Sequence, residues 1–220
     1  MVRKEKMILL QGIAGLAAFA VWTWLVQTVD VQQAGQAGAA VGFAAWNCFV
    51  HGALGVHMWL YTLTDWLGLV PVAVATGFGI IGAVQLIKRK SLLKVDLDLI
   101  ILGLYYVVVI WCYLGFEMFP VNYRPILIEG RMEASYPSST TLLVLCVMPT
   151  LVFQVRRRVK HSFIPKITAA SAMAFSVFTV VGRLISGVHW LTDIIGSVLL
   201  SAGLFNIYRF LARERYHGVS

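Results

Sequence analysis

The sequence predicts an all-α integral membrane protein with six transmembrane helices in one bundle. Three observations predict this class. Of the 220 residues, 59% are hydrophobic and only 13% are charged, which leaves too little polar surface for a soluble domain. Apolar runs long enough to cross a bilayer recur along the chain with short connections. Lysine and arginine are concentrated in alternate connections between these runs.

The apolar runs define the helices in order. The first run follows Arg3, Lys4 and Lys6, and it is longer than the core of a secretory signal peptide, so we expect an uncleaved helix rather than a cleaved signal. The predicted spans are residues 7–29, 66–87, 97–119, 138–155, 167–185 and 190–211. Residues 30–65 mix Gln, Gly and Ala with aromatic side chains, which is typical of an interfacial helical segment. The short connections leave no room for a second domain, so residues 1–220 form a single membrane domain.

The distribution of positive charge predicts the orientation. All but three of the 18 lysines and arginines fall at the N-terminus, in the second-to-third and fourth-to-fifth connections, or at the end of the sixth run and after it. Because positively charged connections stay on the cytoplasmic side, this bias places both termini in the cytoplasm, and we expect the protein in the plasma (cytoplasmic) membrane. The net charge of +8 then reflects topology and attraction to anionic lipid, so nucleic acid is not an expected partner. The exceptions are Arg124, Arg131 and Arg183, which all lie in outer connections.

One outer stretch, residues 182–193, places Arg183, His189 and Asp193 within an otherwise apolar region. If the chain is helical from Trp190 onward, His189 and Asp193 are one turn apart, and the carboxylate can accept the imidazole N–H. Arg183 offers a planar set of donors to a phosphate. The alternative is that these residues satisfy one another at the end of a helix near the membrane surface.

Two further outer segments carry polar side chains. Residues 121–125 contain Arg124, whose alternative role is an interfacial arginine that extends to water. Residues 136–141 contain Pro137 followed by hydroxyl residues at the start of the fourth helix, namely Ser138, Ser139, Thr140 and Thr141. Hydroxyls and backbone N–H groups at a helix start favour a phosphate, although an ordinary helix cap has the same composition.

Together these segments indicate phosphoryl transfer through a phosphohistidine. Two arginines and a helix start can bind the phosphate oxygens while a histidine attacks phosphorus. The cysteines, Cys48, Cys112 and Cys146, show no metal-ligand spacing, and we predict neither a metal nor another cofactor.

The same residues resemble a known family. The order Arg124-Pro125, then Pro137-Ser138, then Arg183-x5-His189-x3-Asp193 is similar to the motifs of the type-2 phosphatidic-acid phosphatase superfamily, which is related to the vanadium haloperoxidases. The resemblance covers residues 97–211, a phosphatase-like core, and implies a six-helix membrane enzyme that acts on lipid phosphates and pyrophosphates without a metal.

The resemblance also implies roles for individual residues. His189 would be the nucleophile and Asp193 the residue that orients it. Arg124, Arg183 and Ser138 would bind phosphate. We also expect Ser139 and Thr140, which follow at the start of the fourth helix, to bind phosphate.

The sequence departs from the family at several positions. Glu117 stands where the family has a lysine, Ser139 and Thr140 stand in place of Gly-His, and Gly182 replaces a serine. The family's histidine at the position of Thr140 protonates the leaving group, which a threonine cannot do. We therefore expect either a lipid pyrophosphate such as a polyprenyl diphosphate, whose leaving group is already a stable anion, or a substitute acid from Glu117, Glu129 or Glu133.

The predicted function is hydrolysis of a lipid phosphate or pyrophosphate at the outer face of the membrane. Two alternatives share the same pocket: a catalytically impaired relative that binds lipid phosphates, and a lipid phosphotransferase. A transporter is disfavoured, because its charged residues would lie along a path near mid-membrane rather than at one surface.

Overall fold

The computed structural model describes residues 2–161 and 163–214, with side chains in 4–161 and 163–213. The side chain of Arg3 and the whole of Arg215, both used above to predict orientation, lie outside these ranges.

The described chain is helical, with isolated β-bridges in two loops. The α-helices are α1 (Val2–Thr28), α2 (Ala44–Leu54), α3 (Met58–Leu67), α4 (Leu69–Arg89), α5 (Leu97–Met118), α6 (Ser139–Arg158), α7 (Phe163–Ile185) and α8 (Leu191–Glu214). Within the described residues, 6 segments are long and apolar enough to cross a membrane, and α3 together with α4 forms one of them. The prediction of an all-α protein with six spanning helices is confirmed.

The second span begins earlier than the sequence predicts. It was expected at residues 66–87, but the apolar segment extends over Met58–Arg89 and is interrupted at Gly68. Pro71 explains the interruption, because it has no N–H to donate to Leu67 and its ring crowds the carbonyl four residues earlier. The predicted interfacial segment therefore contributes α2 alone as a separate helix, while α3 belongs to the span.

The helix α2 matches the expected interfacial character. Its Trp46 and Phe49 are 61% and 73% exposed, as expected for aromatic side chains that face the membrane interface. Its Asn47 is buried and fixes the helix to the start of α8, since Asn47 Nδ2 donates to Thr192 Oγ1 at 3.0 Å. The start of α8 is thereby covered by α2.

The helices α6 and α8 form the centre of the bundle. Their inner faces pack with α5 around buried residues that include Leu142, Cys146 and Leu204. The helix α1 packs closely on α8, where a Cβ atom added to Gly15 would lie 2.9 Å from the Cα of Gly203. Small residues permit such close helix contacts in membranes.

The two ends of the bundle differ in charge. One end, called the cationic end below, is where α4 and α6 finish and α5 begins. There Asp96 pairs with Arg89 at 2.8 Å and with Arg158 at 3.3 Å, which holds α4, α5 and α6 together. At the other end, α6 and α8 both begin, and Ser138 N–H donates to Asp193 O at 3.3 Å. The loop between α5 and α6 folds back over this second end. That loop brings Arg124 next to the start of α8.

Candidate active site

The turn between α7 and α8 positions His189. Gly187 in this turn has a φ of 70°, and a Cβ atom placed on it would lie 2.2 Å from the carbonyl oxygen of Gly55. Glycine is needed for such a close approach in the left-handed conformation. The turn is also held by the N–H of His57, which donates to Ser186 O at 3.0 Å. His189 is consequently fixed in place and is only 3% exposed.

The two ring nitrogens of His189 have different partners. Nδ1 lies 3.1 Å from the carbonyl oxygen of Ser135 and 3.6 Å from Oδ2 of Asp193. A carbonyl oxygen can only accept, so the ring hydrogen is on Nδ1 and the lone pair is on Nε2. The hydrogen bond expected from the imidazole to Asp193 is thus made to Ser135, because the backbone oxygen is closer. Asp193 remains near enough to stabilise a positive charge on the ring.

The lone pair on Nε2 of His189 faces two guanidinium groups. Nη1 of Arg124 lies 3.4 Å from this atom, and Nη2 of Arg183 lies 3.3 Å from it. Both arginines are buried, at 8% and 1% exposure. The ring centre of Tyr61 lies 5.8 Å from Cζ of Arg124 and 4.9 Å from Cζ of Arg183, so one aromatic ring packs against both cations.

The surroundings of His189 favour its neutral form. Burial lowers the pKa of His189 well below its ordinary value, and the positive charges of Arg183 and Arg124 lower that pKa further. The hydrogen bond to the carbonyl of Ser135 opposes this effect. An uncharged imidazole with a lone pair directed at two donors is the state that a nucleophile requires.

Two carboxylates neutralise the arginines from the more exposed side. Oε2 of Glu133 lies 3.0 Å from Nε of Arg124, and Oδ1 of Asp65 lies 3.5 Å from Nη1 of Arg183. The side chains of Glu133 and Asp65 are 38% and 58% exposed, whereas those of Arg124 and Arg183 are 9% and 1% exposed. The buried Nε of Arg183 has no hydrogen-bond acceptor within the described part of the chain. A donor in this situation is suited to an incoming anion.

Asp193 occupies the first turn of α8, where the helix dipole stabilises a negative charge. Its Oδ2 accepts the backbone N–H of Trp190 at 2.9 Å, and its Oδ1 lies 3.4 Å from Nδ2 of Asn122. These partners orient the carboxylate. They hold its Oδ2 on the side of His189.

Ser138 is buried at the start of α6. Its Oγ donates to Oγ1 of Thr141 at 3.0 Å, and its N–H donates to Asp193 O at 3.3 Å. Its carbonyl accepts a hydrogen bond from Ser197 at 3.0 Å. The bonds of Ser138 therefore join α6 to α8 beside the histidine.

The next two predicted residues point to different surroundings. Ser139 lines a narrow crevice with Glu117 and Tyr113 on the α5 side, and none of Arg124, Arg183 and His189 lines it. Thr140 lies toward α3 and α4 instead. A Cβ atom added to Gly68 would be 3.5 Å from Cγ2 of Thr140, and the N–H of Gly68 donates to Asp65 O at 2.9 Å. Thr140 is thus next to the turn that carries Asp65.

The three predicted substitute acids are also separated. Glu133 contacts the arginine pair through Arg124, as described above. Glu117 is exposed and lines the crevice with Ser139. Glu129 is exposed in a tight turn with a φ of 48°. In the described residues, the ion pairs of Arg124 and Arg183 are made with Glu133 and Asp65.

Sequence reasoning missed several residues of this cluster. Tyr61 and Asp65 both fall in residues 30–65, which the sequence pattern assigns to an interfacial segment rather than to the site. A usable signal existed for Asp65, because it is the only acidic residue in the segment Met58–Arg89 and a carboxylate in an apolar span has a specific reason to be there. Ser135 and Asn122 carried no such signal, since they act through a carbonyl oxygen and a neutral amide.

The comparisons with known proteins support the fold. No family model matches the sequence. No curated protein matches it either. Among solved structures, the chain is similar to a transmembrane PAP2-type phosphatidylglycerolphosphate phosphatase from Bacillus subtilis, with a TM-score of 0.66 and 18% sequence identity over 96% of this chain and 98% of that chain. The chain therefore has the fold of a membrane-bound PAP2-type phosphatase, as the motifs predicted.

Proposed function

We propose that the protein is a membrane lipid phosphatase that hydrolyses a lipid phosphate or pyrophosphate through a phosphohistidine on His189. One observation carries the proposal: Nε2 of His189 lies within 3.4 Å of Arg124 and 3.3 Å of Arg183 while Nδ1 donates to a backbone carbonyl. The nucleophile and the phosphate-binding cations thus converge on one point. The fold shared with a PAP2-type phosphatase supports the same assignment.

The arrangement accounts for each step of the reaction. Arg124 and Arg183 bind the phosphate oxygens, and Nε2 of His189 attacks phosphorus as the bond to the leaving oxygen breaks. The leaving oxygen takes the bonding electrons. Asp193 stabilises the positive charge that develops on the ring, at a distance of 3.6 Å from Nδ1. Water then attacks phosphorus as the bond between phosphorus and Nε2 breaks. The bonding electrons return to Nε2, which restores the neutral imidazole, and inorganic phosphate leaves with the protons of the water.

The start of α6 has a supporting role in this proposal. Ser138 joins α6 to Asp193, and we assign it to phosphate binding through its position at the helix start. Thr140 would contact the substrate on the α3 side. Ser139 would line the α5 side, where the crevice with Glu117 lies.

The leaving group sets the substrate class. A lipid pyrophosphate needs no proton donor, because a phosphate anion leaves, whereas an alkoxide leaving group gains about 10²–10⁴ in rate from a general acid. A phosphomonoester substrate, such as the phosphatidylglycerolphosphate named for the similar structure, would need an acid near the arginines. Glu133 and Asp65 are the carboxyl groups that contact those arginines.

The same proposal includes the orientation. The cationic end would be cytoplasmic, with both termini there, and the active site would lie at the outer face of the plasma membrane. Residues 1–220 would act as a single domain with a core at 97–211. Tyr61 and Asp65 of α3 add to that core.

The decisive experiment is a phosphate-release screen with purified protein. A polyprenyl diphosphate, phosphatidic acid and phosphatidylglycerolphosphate would be compared, each with the wild type and with His189→Ala. We expect release by the wild type and none above background by the variant. A protein trapped during turnover should carry an acid-labile phosphate on His189.

The alternatives predict different results. A protein that only binds lipid phosphates would release no phosphate from any substrate, and His189→Ala would leave its affinity nearly unchanged. A phosphotransferase would consume the lipid substrate but produce a phosphorylated acceptor in place of inorganic phosphate. Strong preference for phosphatidic acid over the diphosphate would contradict the leaving-group argument and require an acid in the site.

A further inference from the structure

A cavity that is separate from the candidate active site lies in the half of the bundle opposite His189. It has a volume of about 840 Å³ and opens between α6, α7 and α8, with the start of α1 at its mouth. Ligand sites in proteins typically have volumes of about 300–1,000 Å³. None of the residues that line this cavity contacts His189, Arg124 or Arg183 in the described chain.

The mouth of the cavity is strongly cationic. Its charged lining residues are Lys4, Glu5, Arg156, Arg157, Arg209 and Arg213, in which one carboxylate faces five positive charges. Among the side chains that the structure describes at this end, Asp96 and Asp98 are engaged elsewhere, since they pair with Arg158 on the α5 side. The cavity mouth is therefore complementary to an anion.

Two of these cations are positioned by neighbouring groups. Arg157 donates from Nη1 to the carbonyl oxygen of Ala212 at 2.8 Å, and its Cζ lies 5.2 Å from the ring centre of Phe153. Arg209 lies over Phe205 at 5.6 Å. Their guanidinium groups are held where the aromatic wall of the cavity meets its mouth. This arrangement places charge at the border of an apolar space.

The inner part of the cavity is apolar and has the depth of one membrane leaflet. It is lined by Leu145 and Met148 of α6 and by Ala172 and Met173 of α7. The distance along α6 from Arg156 to Leu145 is about 17 Å at roughly 1.5 Å per residue. Half of the hydrocarbon core of a bilayer is about 15 Å thick. An acyl chain of that leaflet fits this depth.

We propose that this cationic cavity binds an anionic phospholipid of the surrounding leaflet. The lipid phosphate contacts the arginines at the mouth, and an acyl chain lies between α6, α7 and α8. Basic pockets between transmembrane helices recognise anionic head groups in this way. The site is separate from the candidate active site and does not depend on the proposed function.

The test uses the purified, detergent-solubilised protein and two lipids with the same acyl chains. Dioleoylphosphatidylglycerol and dioleoylphosphatidylcholine would each be titrated, and bound lipid would be counted by native mass spectrometry. We expect one tightly bound phosphatidylglycerol per chain and at least a tenfold weaker association of phosphatidylcholine, because the choline cation cancels the phosphate charge and is repelled by the arginines, at roughly 1 kcal/mol for each basic residue. Equal binding of the two lipids would overturn the proposal.

A pair of double variants locates the bound lipid. Arg156→Gln with Arg209→Gln removes two charges that line the cavity, whereas Lys88→Gln with Lys90→Gln removes two exposed charges from the end of α4. We expect the first double variant to lose about tenfold or more in phosphatidylglycerol affinity and the second to lose less than about twofold. Equal losses would show general attraction to the cationic end and would contradict a defined site.

A third variant leaves every charge in place. Ala169→Phe, on the α7 wall, fills part of the cavity and should displace the lipid while the protein remains monodisperse. This variant also decides the question if the arginine double variant fails to fold. Retained phosphatidylglycerol binding in Ala169→Phe would place the lipid outside the cationic cavity and refute the proposal. Loss of binding in Arg183→Lys, a variant of the candidate active site, would refute it as well.

Discussion

Nη2 of Arg183, in the last turn of α7, lies 3.3 Å from Nε2 of His189, in the short connection between α7 and α8. The two side chains face each other because the turn at Gly187 reverses the chain between them. If Nε2 attacks phosphorus, a guanidinium at this distance is placed to donate a hydrogen bond to an oxygen of the same phosphate. Several consequences of this geometry can be measured.

Replacing Arg183 with lysine should severely impair phosphate release. The guanidinium reaches His189 through Nη2 and Asp65 through Nη1, and a single ammonium group cannot occupy both positions. We expect a loss of about 10²–10³ in kcat/KM, the usual effect of removing one oxyanion donor. Arg131→Lys is the matched control, because Arg131 is exposed in the loop between α5 and α6. Similar kcat/KM values for both variants would exclude a direct role for Arg183.

The pH dependence of kcat/KM should reflect the low pKa of His189. Burial, Arg183 and Arg124 lower this pKa below the ordinary 6.5, so the imidazole is still neutral and nucleophilic at pH values somewhat below 6.5. Activity should therefore fall only on further acidification. The free energy of unfolding should also decrease as pH falls below 6.5, because the unfolded chain then binds a proton on His189 that the buried ring does not bind.

A variant separates the titration of His189 from that of the substrate. Arg124→Gln removes one nearby positive charge, which should raise the pKa of His189 and move the acidic limb of the kcat/KM profile to higher pH. The ionisation of the substrate is the same for both proteins. An acidic limb that stays at the same pH in Arg124→Gln would assign it to the substrate.

Some features of the site could be predicted from the sequence, and others could not. The spans follow from the lengths of apolar runs, and Arg183, His189 and Asp193 are close in sequence, so their local arrangement could be anticipated. The contact between Arg183 and Asp65 joins positions 118 residues apart, which no periodicity reports. The carbonyl of Ser135 was equally hidden, because every residue has a carbonyl and only the fold decides which one reaches His189.

Gly187→Ala should destabilise the protein more than a glycine replacement elsewhere with similar backbone geometry. Gly187 has a φ of 70° and a Cβ atom would lie 2.2 Å from Gly55 O, whereas Gly130 has a φ of 75° and no atom within 4 Å of its Cβ position. Gly130→Ala thus tests the left-handed conformation alone, at a cost of about 1–2 kcal/mol. We expect a clearly larger decrease in Tm for Gly187→Ala in detergent. Equal decreases would show that the approach to Gly55 is relaxed at no cost.

Asp65→Asn should distinguish the two classes of substrate. Asp65 lies in the turn that ends at Gly68, next to Thr140, and its carboxylate is 3.5 Å from Arg183, so it is placed either to protonate a leaving oxygen or only to hold the arginine. If it supplies a proton, the variant should lose about 10²–10³ in kcat for a lipid phosphomonoester and little for a diphosphate, whose leaving phosphate needs no proton. The measurement is kcat for phosphatidic acid and for a polyprenyl diphosphate with the same preparation.

Glu133→Gln provides the matched comparison for Asp65→Asn, because Glu133 is also a carboxylate paired with an arginine of the site. A residue that only holds an arginine should affect both substrates by the same factor when its charge is removed, since phosphate binding is common to both reactions. We expect this uniform effect for Glu133→Gln and a substrate-dependent effect for Asp65→Asn. A uniform effect for Asp65→Asn as well would make Asp65 a positioning residue and would leave a lipid pyrophosphate as the substrate class that the site can cleave without an acid.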